Sequence, residues 1–226
     1  MTATTGIVFW TLAFAFTHMG LSSLKVRPLL VARLGEGPYL GVYSLLSFAT
    51  FVPLVASYLG EGGVHGGPLL WNFRMVPAVH VASALLAFVS FTLALSAIAQ
   101  PSPASIGPSK TLRAHGLTRI TRHPMFMNVG VWALAHLPIN GYLNDVLFFG
   151  GIFLVGLLGC LHQDARKRIT EKGRLDEFFA ETSVLPFGAI LSGRGRFVAS
   201  ELPWAAIVAC SVASAAIYHL HSRMFF

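Results

Sequence analysis

The sequence alternates between long apolar stretches and short polar ones. Four windows without any Asp, Glu, Lys or Arg each reach the roughly 20 residues that a membrane-spanning helix needs. Two shorter apolar runs, Met125–Leu137 and Val146–His162, are separated by the turn-forming residues Pro138-Ile-Asn-Gly141. The pattern therefore predicts six transmembrane helices, at about residues 5–24, 38–60, 75–99, 123–137, 143–162 and 202–221.

The polar segment between the fifth and sixth helices has a different pattern. Leu175, Phe178 and Phe179 recur there among charged residues, which is typical of an amphipathic segment lying at a membrane surface. We therefore expect an all-α integral membrane protein in which residues 1–226 form a single transmembrane domain. Its six helices are expected to form a bundle, with this amphipathic surface segment between helices 5 and 6.

Composition supports a membrane protein. Of the 226 residues, 54% are hydrophobic and 11% are charged, and the mean hydropathy is +0.67. Soluble globular domains carry about 25% charged residues. We therefore expect membrane lipids, rather than bulk water, around most of the chain.

Positive charge is concentrated in three of the loops between predicted helices. Residues 25–33 hold three Lys or Arg residues, 110–122 hold four and 166–196 hold seven, which leaves Arg74 and Arg223 on the opposite side. The positive-inside rule then places these loops in the cytoplasm and both termini outside, in the inner membrane if the source is bacterial. The net charge of +7 is explained by this topology and by anionic lipids, and it does not indicate nucleic-acid binding.

Three histidines fall inside predicted spans: His18, His80 and His136. An ionisable residue within a membrane helix is a candidate functional residue by default. Asp145 and Asp164 are predicted at helix ends, so we expect no buried carboxylate and disfavour a hydrolytic zinc site. Imidazoles on separate helices suit the two axial ligands of a haem. The alternative is that all three histidines form hydrogen bonds between helices.

The stretch 119–136 carries the densest set of candidate residues. Arg119, Arg122 and His123 form a basic rim, and Pro124 is suited to the first turn of the helix that follows. Residues at helical spacing then form one stripe along that helix, namely Met125, Val129, Trp132 and His136.

Several motifs, in order along the chain, resemble the NnrU and zeta-carotene isomerase family: His18-x-Gly20-Leu21, Leu34-Gly-Glu36, Tyr43-Ser44, Arg119-Ile-Thr-Arg-His-Pro124, Trp132-Ala-Leu-Ala-His136, Asp164-x-Arg166 and Thr182-Ser-Val-Leu-Pro-Phe-Gly-Ala-Ile190. The resemblance implies a membrane-embedded haem b with His18 and His136 as axial ligands. Predicted depth alone would instead pair His80 with His136, so His80 is kept as a candidate iron ligand.

The predicted positions of neighbouring residues suggest roles beside such a haem. Arg119, Arg122 and His123 are placed at the cytoplasmic rim, where they could pair with haem propionates or lipid phosphates through charge-assisted hydrogen bonds. Trp132 shares the stripe of His136, so we expect it beside the cofactor.

The activity implied by the resemblance is cis–trans isomerisation of a carotenoid such as 15-cis-zeta-carotene, with the hydrophobic polyene supplied by the bilayer. A second reading is a non-enzymatic or accessory haem protein of the NnrU type, linked to denitrification, that binds or senses NO or supports assembly of NO reductase. A third is a membrane methyltransferase that uses S-adenosylmethionine, because Arg122-His-Pro also resembles those enzymes. Those enzymes also use a pair of adjacent glutamates after the motif. Here the adjacent acidic pair, Asp176-Glu177, comes later in the chain, in the predicted surface segment, which disfavours this alternative.

Overall fold

The computed structural model describes residues 1–105 and 112–225, so Lys110 of the second basic loop and the side chain of Arg223 lie outside the description. Within these ranges the regular structure is helical, with one isolated bridge between Leu69 and Tyr142. The all-α prediction is confirmed for this part of the chain. The helices are α1 (Ala3–Leu21), α2 (Val26–Leu34), α3 (Glu36–Leu59), α4 (Pro77–Ser96), α5 (Leu117–Ile120), α6 (Pro124–His136), α7 (Leu143–Thr170), α8 (Asp176–Glu181), α9 (Gly188–Leu191) and α10 (Trp204–Phe225).

Five helices within the described residues, α1, α3, α4, α7 and α10, are long and apolar enough to cross a membrane. This is compatible with an integral membrane protein. The sixth predicted span is not confirmed, because α6 has only 13 residues. At 1.5 Å per residue such a helix is about 20 Å long, shorter than the roughly 30 Å hydrocarbon core.

Helix α7 is longer than predicted. We expected a helix over residues 143–162 with Asp164 at its solvated end, but α7 continues to Thr170. Asp164 and Arg166 consequently lie inside the helix, and both are buried. Asp164 and Arg166 therefore contribute to the protein interior, whereas Arg168 is exposed.

The segment between α7 and α10 differs from the expected membrane-surface segment. Its α-helices within the described residues, α8 and α9, are short, and Leu175, Phe178 and Phe179 are buried within the protein. The surface interpretation was wrong for these residues. A periodic apolar face is equally suited to packing on protein or on lipid, and here protein covers it.

The chain divides into two compact units. Unit 1 comprises Met1–His80 and His136–Val155, and unit 2 comprises Val81–Ala135 and Gly156–Phe226. The single domain expected over residues 1–226 stays a prediction.

Unit 1 is built around the packing of α1 on α3. Gly6 of α1 faces α3 so closely that an added Cβ would lie 2.7 Å from the Ser57 Oγ. Small residues allow membrane helices to approach in this way, since the association depends on close van der Waals contact. The close packing fixes the position of His18, near the end of α1, relative to α3.

Candidate functional site

The residues predicted from the sequence separate into the two units. His18, His80 and His136 belong to unit 1, whereas Arg119, Arg122, His123 and Trp132 belong to unit 2. In the part of the chain that the structure describes, no group of three or more His, Cys, Asp or Glu residues is placed to hold a metal ion. Each unit therefore has to be considered by its own chemistry.

His18 in unit 1 contacts two hydroxyl groups of α3. Its Nδ1 lies 3.1 Å from the Ser47 Oγ, and its Nε2 lies 2.8 Å from the Tyr43 hydroxyl. The ring is also close to two aromatic rings, with centroid distances of 5.0 Å to Phe14 and 4.9 Å to Tyr43. His18 is half-buried and bonded to neutral groups in an aromatic environment.

His136 is the last residue of α6 and also belongs to unit 1. Its ring stacks on Phe149 of α7, with centroids 4.5 Å apart and planes inclined by 15°. Its carbonyl oxygen accepts a hydrogen bond from the Asn140 Nδ2 at 2.9 Å, which caps the end of the helix. His80 lies in the first turn of α4 and is half-buried.

His123 in unit 2 has a very different environment. It is 0% exposed, and its Nε2 lies 2.7 Å from the Asp164 Oδ1. The other oxygen of Asp164 accepts a hydrogen bond from the Arg122 guanidinium. The His123 Nδ1 has no hydrogen-bond partner among the described residues. His123 therefore belongs to a buried ionic cluster.

Arg122 connects this cluster to the end of α8. Its guanidinium donates to the Thr182 Oγ1 at 2.9 Å and to the carbonyl oxygens of Thr182 and Phe179 at 2.8 and 3.0 Å. Burial lowers the pKa of Arg122, and the Asp164 carboxylate opposes that change. These contacts direct Arg122 into the protein, and its predicted role toward haem propionates or lipid phosphates stays a prediction.

Arg119 likewise has an internal partner. It donates from Nε and an Nη to the two carboxylate oxygens of Glu201, at 2.6 and 2.9 Å. These bonds lower the pKa of Glu201 to about 2 and raise that of Arg119. Trp132 lies with its ring centroid 6.3 Å from that of Phe91. The roles predicted for Arg119 and Trp132 at a cofactor stay predictions.

Two buried carboxylates contradict the expectation that there would be none. Asp164 is 7% exposed and Asp145 is 0% exposed. Asp145 accepts hydrogen bonds from the Tyr58 hydroxyl at 2.9 Å, the His65 backbone N–H at 3.1 Å and the His65 Nδ1 at 2.8 Å. The His65 side chain is itself 32% exposed, but these bonds hold it against the buried carboxylate.

The loop that carries His65 is held in a constrained shape. His65 has a positive φ of 53°, a backbone conformation that residues other than glycine rarely adopt. The Asn144 Nδ2 donates to the carbonyl oxygens of Gly62 and Gly63. The only sequence signal for this arrangement is the Asn144-Asp145 pair before an apolar run. That pair reads equally well as an ordinary helix start.

The chemistry of unit 1 fits a haem in its donor atoms. Two imidazoles beside aromatic rings are suited to axial ligation within an apolar environment. The Nε2 of His18 is engaged by Tyr43, so iron ligation requires that hydrogen bond to be exchanged. The candidate arginines and histidine of unit 2 instead bond to carboxylates of the protein. Arg122 and His123 bond to Asp164, and Arg119 bonds to Glu201.

Comparison with known proteins gives a consistent picture. A family model described as NnrU protein matches residues 7–226. The chain is similar to the 15-cis-zeta-carotene isomerase of Arabidopsis thaliana, with 32% identity over 94% of this chain and 58% of that protein. It is also similar to the enzyme of the same name from Zea mays, with 27% identity over 82% of this chain and 50% of that protein.

Both relatives carry the description "chloroplastic", and the chain spans somewhat more than half the length of one and half of the other. No solved structure matches this chain significantly. The family match covers all the helices described above except the start of α1, and it includes His18, His123 and His136. The chain belongs to the NnrU protein family.

Proposed function

We propose that this chain is a membrane-embedded cis–trans isomerase of a carotenoid such as 15-cis-zeta-carotene, with haem b as its cofactor. The observation that carries the activity is the 32% identity to a 15-cis-zeta-carotene isomerase over 94% of the chain. Five apolar helices support a hydrophobic substrate, because a polyene partitions into the bilayer and reaches such helices directly.

His18 and His136 are the residues that we propose hold the haem iron. Both belong to unit 1, and each ring lies against an aromatic side chain, Phe14 or Tyr43 in one case and Phe149 in the other. Flat apolar rings favour a planar macrocycle by offset stacking and by burial of apolar surface. His80, half-buried on α4 of the same unit, is the rival ligand.

The chain's own residues orient the two proposed ligands. Ser47 and Tyr43 fix the ring of His18, and the stack on Phe149 restricts the ring of His136. A ferrous haem held by these residues would supply electron density to a polyene and so weaken its double-bond character, without net redox change. The side chains that α1 and α3 present outward include Leu12, Phe16, Leu45 and Phe48, all exposed apolar residues that suit contact with lipid or polyene.

The test separates the cofactor from the activity. Chain expressed with haem supply and purified in detergent should show a Soret band and a b-type pyridine haemochrome. A folded sample without either overturns the haem assignment. His18→Ala and His136→Ala should each lose the six-coordinate spectrum, whereas His80→Ala should keep it. The opposite pattern assigns His80 as a ligand.

The activity is measured on liposomes that contain 15-cis-zeta-carotene. Reduced, haem-loaded protein should convert the central cis bond in the dark, as followed by chromatography, and His18→Ala should not. Haem-loaded protein that binds NO but converts no carotenoid contradicts the isomerase proposal and favours the NO-linked alternative.

A further inference from the structure

We propose that Ser47 and Tyr43 are positioning residues for His18. Ser47 fixes the imidazole in the tautomer that leaves a lone pair on Nε2. The Tyr43 hydroxyl donates a hydrogen bond to that lone pair when no iron is bound, and iron binding at Nε2 breaks this hydrogen bond. The proposal rests on the proposed function in one respect, namely that His18 is a ligand of the haem iron. The tautomer itself follows from the hydrogen bonds of the chain.

Both residues project from α3 toward α1. Tyr43 and Ser47 are four positions apart in α3, so they lie on one face of that helix. Ser47 approaches the Nδ1 of His18 at 3.1 Å, and the Tyr43 hydroxyl approaches Nε2 at 2.8 Å. The imidazole is therefore held at both nitrogens by one face of one helix.

The hydrogen on Ser47 determines which ring nitrogen is protonated. A serine hydroxyl has one hydrogen to donate, and the Ser47 Oγ donates it to the Tyr43 carbonyl oxygen at 2.8 Å. Toward His18, the Ser47 oxygen can then act only as an acceptor. The hydrogen between these two residues must come from the imidazole, so the Nδ1 of His18 carries a proton.

The state of Nε2 follows from that of Nδ1. In a neutral imidazole one nitrogen donates and the other accepts. With the proton on Nδ1, the Nε2 of His18 has a lone pair, and the Tyr43 hydroxyl donates to it. This is the tautomer that a metal-ligating histidine requires when a hydrogen bond at its other nitrogen fixes the ring.

The two positioning residues are expected to act on iron binding in opposite directions. Ser47 favours ligation, since loss of a hydrogen bond that orients a ligand histidine typically costs 10–100-fold in metal affinity. Tyr43 competes with ligation, because its hydrogen bond to Nε2 must break before iron can bind there. An ordinary structural hydrogen bond would not give this opposition of sign.

The tautomer is tested on the full-length chain without haem. The protein is labelled with ¹⁵N-histidine and observed by NMR in detergent micelles. The His18 signals are those that are absent from the spectrum of the His18→Ala variant. The expected result is a protonated Nδ1 and an unprotonated Nε2. Ser47→Ala should produce a mixture of tautomers, whereas Ser44→Ala, on the exposed side of α3, should leave the pattern unchanged. A proton on Nε2 in the unmodified chain overturns the inference.

The effect on iron is tested by haem titration of the same variants, followed by the Soret band. Ser47→Ala should weaken haem binding at least 10-fold, and Tyr43→Phe should strengthen it by about 2–10-fold. Tyr39→Phe, which removes a hydroxyl bonded to the Leu21 carbonyl oxygen, is the matched control and should change nothing. Weakening by both Ser47→Ala and Tyr43→Phe would indicate general loss of packing and overturns the inference.

Failure of the proposed function gives a different result. A folded chain with the expected His18 tautomer that binds no haem overturns both haem binding and the ligand role of His18. A chain that binds haem through His18 but shows the other tautomer, or is unaffected by Ser47→Ala, overturns only the roles of Ser47 and Tyr43.

Discussion

His18 and His123 were both selected from the sequence, but their surroundings differ in charge. His18 is half-buried and bonded to two hydroxyl groups, whereas His123 is fully buried and bonded to Asp164, which also pairs with Arg122. A neutral hydrogen bond can be exchanged for a ligand at modest cost. A buried charged pair is costly to open, since each charge left behind is desolvated.

This difference separates a histidine with exchangeable neutral partners from one held in an ionic cluster. The Arg122-His123 pair holds the start of α6 to α7 and to the end of α8, all within unit 2. Its hydrogen bonds with Asp164 compensate for the burial of the Arg122 and Asp164 charges. His18 instead bonds to Ser47 and Tyr43 of a neighbouring helix, and these two residues can be changed without exposing a charge.

The largest expected effect is in the ionic cluster. Asp164→Ala removes the carboxylate that neutralises Arg122, so we expect the free energy of unfolding in detergent to fall by about 3–5 kcal/mol. Glu36→Gln is the control, because Glu36 pairs with Arg27 at an exposed position and should cost less than about 1 kcal/mol. Equal effects of the two substitutions would contradict the structural role of Asp164.

The next effect concerns the buried carboxylate of unit 1. Asp145→Asn keeps the shape but turns an amide N–H toward donors on Tyr58 and His65. It should lower the free energy of unfolding by about 1–3 kcal/mol. Glu61→Gln, an exposed change in the loop that carries His65, should have little effect. If Asp145→Asn is neutral, Asp145 does not hold this loop.

A smaller, pH-dependent effect is expected at Glu201. Arg119 lowers its pKa from an ordinary 4.5 to about 2, so the folded state binds a proton less readily than the unfolded state. The stabilisation is complete above pH 4.5 and is lost as the pH falls toward 2. Its size is on the order of 1 kcal/mol after solvent screening.

Thermal unfolding measured across this pH range should show the loss. Glu201→Gln should remove that part of the acid dependence, and Glu61→Gln should retain it. A profile for Glu201→Gln that parallels the unmodified chain would show that the pair with Arg119 does not contribute.

The smallest effect is expected beside His18. Tyr43→Phe removes one neutral hydrogen bond between helices, which averages about 0.6 kcal/mol in membrane proteins. Tyr218→Phe, at a position 55% exposed on α10, should cause no measurable change in the free energy of unfolding. A loss above 2 kcal/mol for Tyr43→Phe would place His18 in the same structural class as His123.

Long apolar windows were sufficient to predict α1, α3, α4, α7 and α10, because burial of a 20-residue apolar stretch leaves few alternatives to a helix. The family motifs likewise select residues without a structure. The same reasoning counted α6 as a membrane span, although it has only 13 residues, and ended α7 at residue 162, although it continues to Thr170. Apolar character alone does not show whether protein or lipid surrounds a helix.

What the sequence could not show is which polar groups meet. Arg122 and Asp164 are 42 positions apart, and Tyr58 and Asp145 are 87 apart. A carboxylate near a helix end is solvated unless distant donors converge on it, and no local pattern records that convergence. The sequence thus determined the helical, apolar character of the chain and its candidate histidines. Only the tertiary structure decided their partners, because hydrogen bonds depend on distances in space that spacing along the chain does not fix.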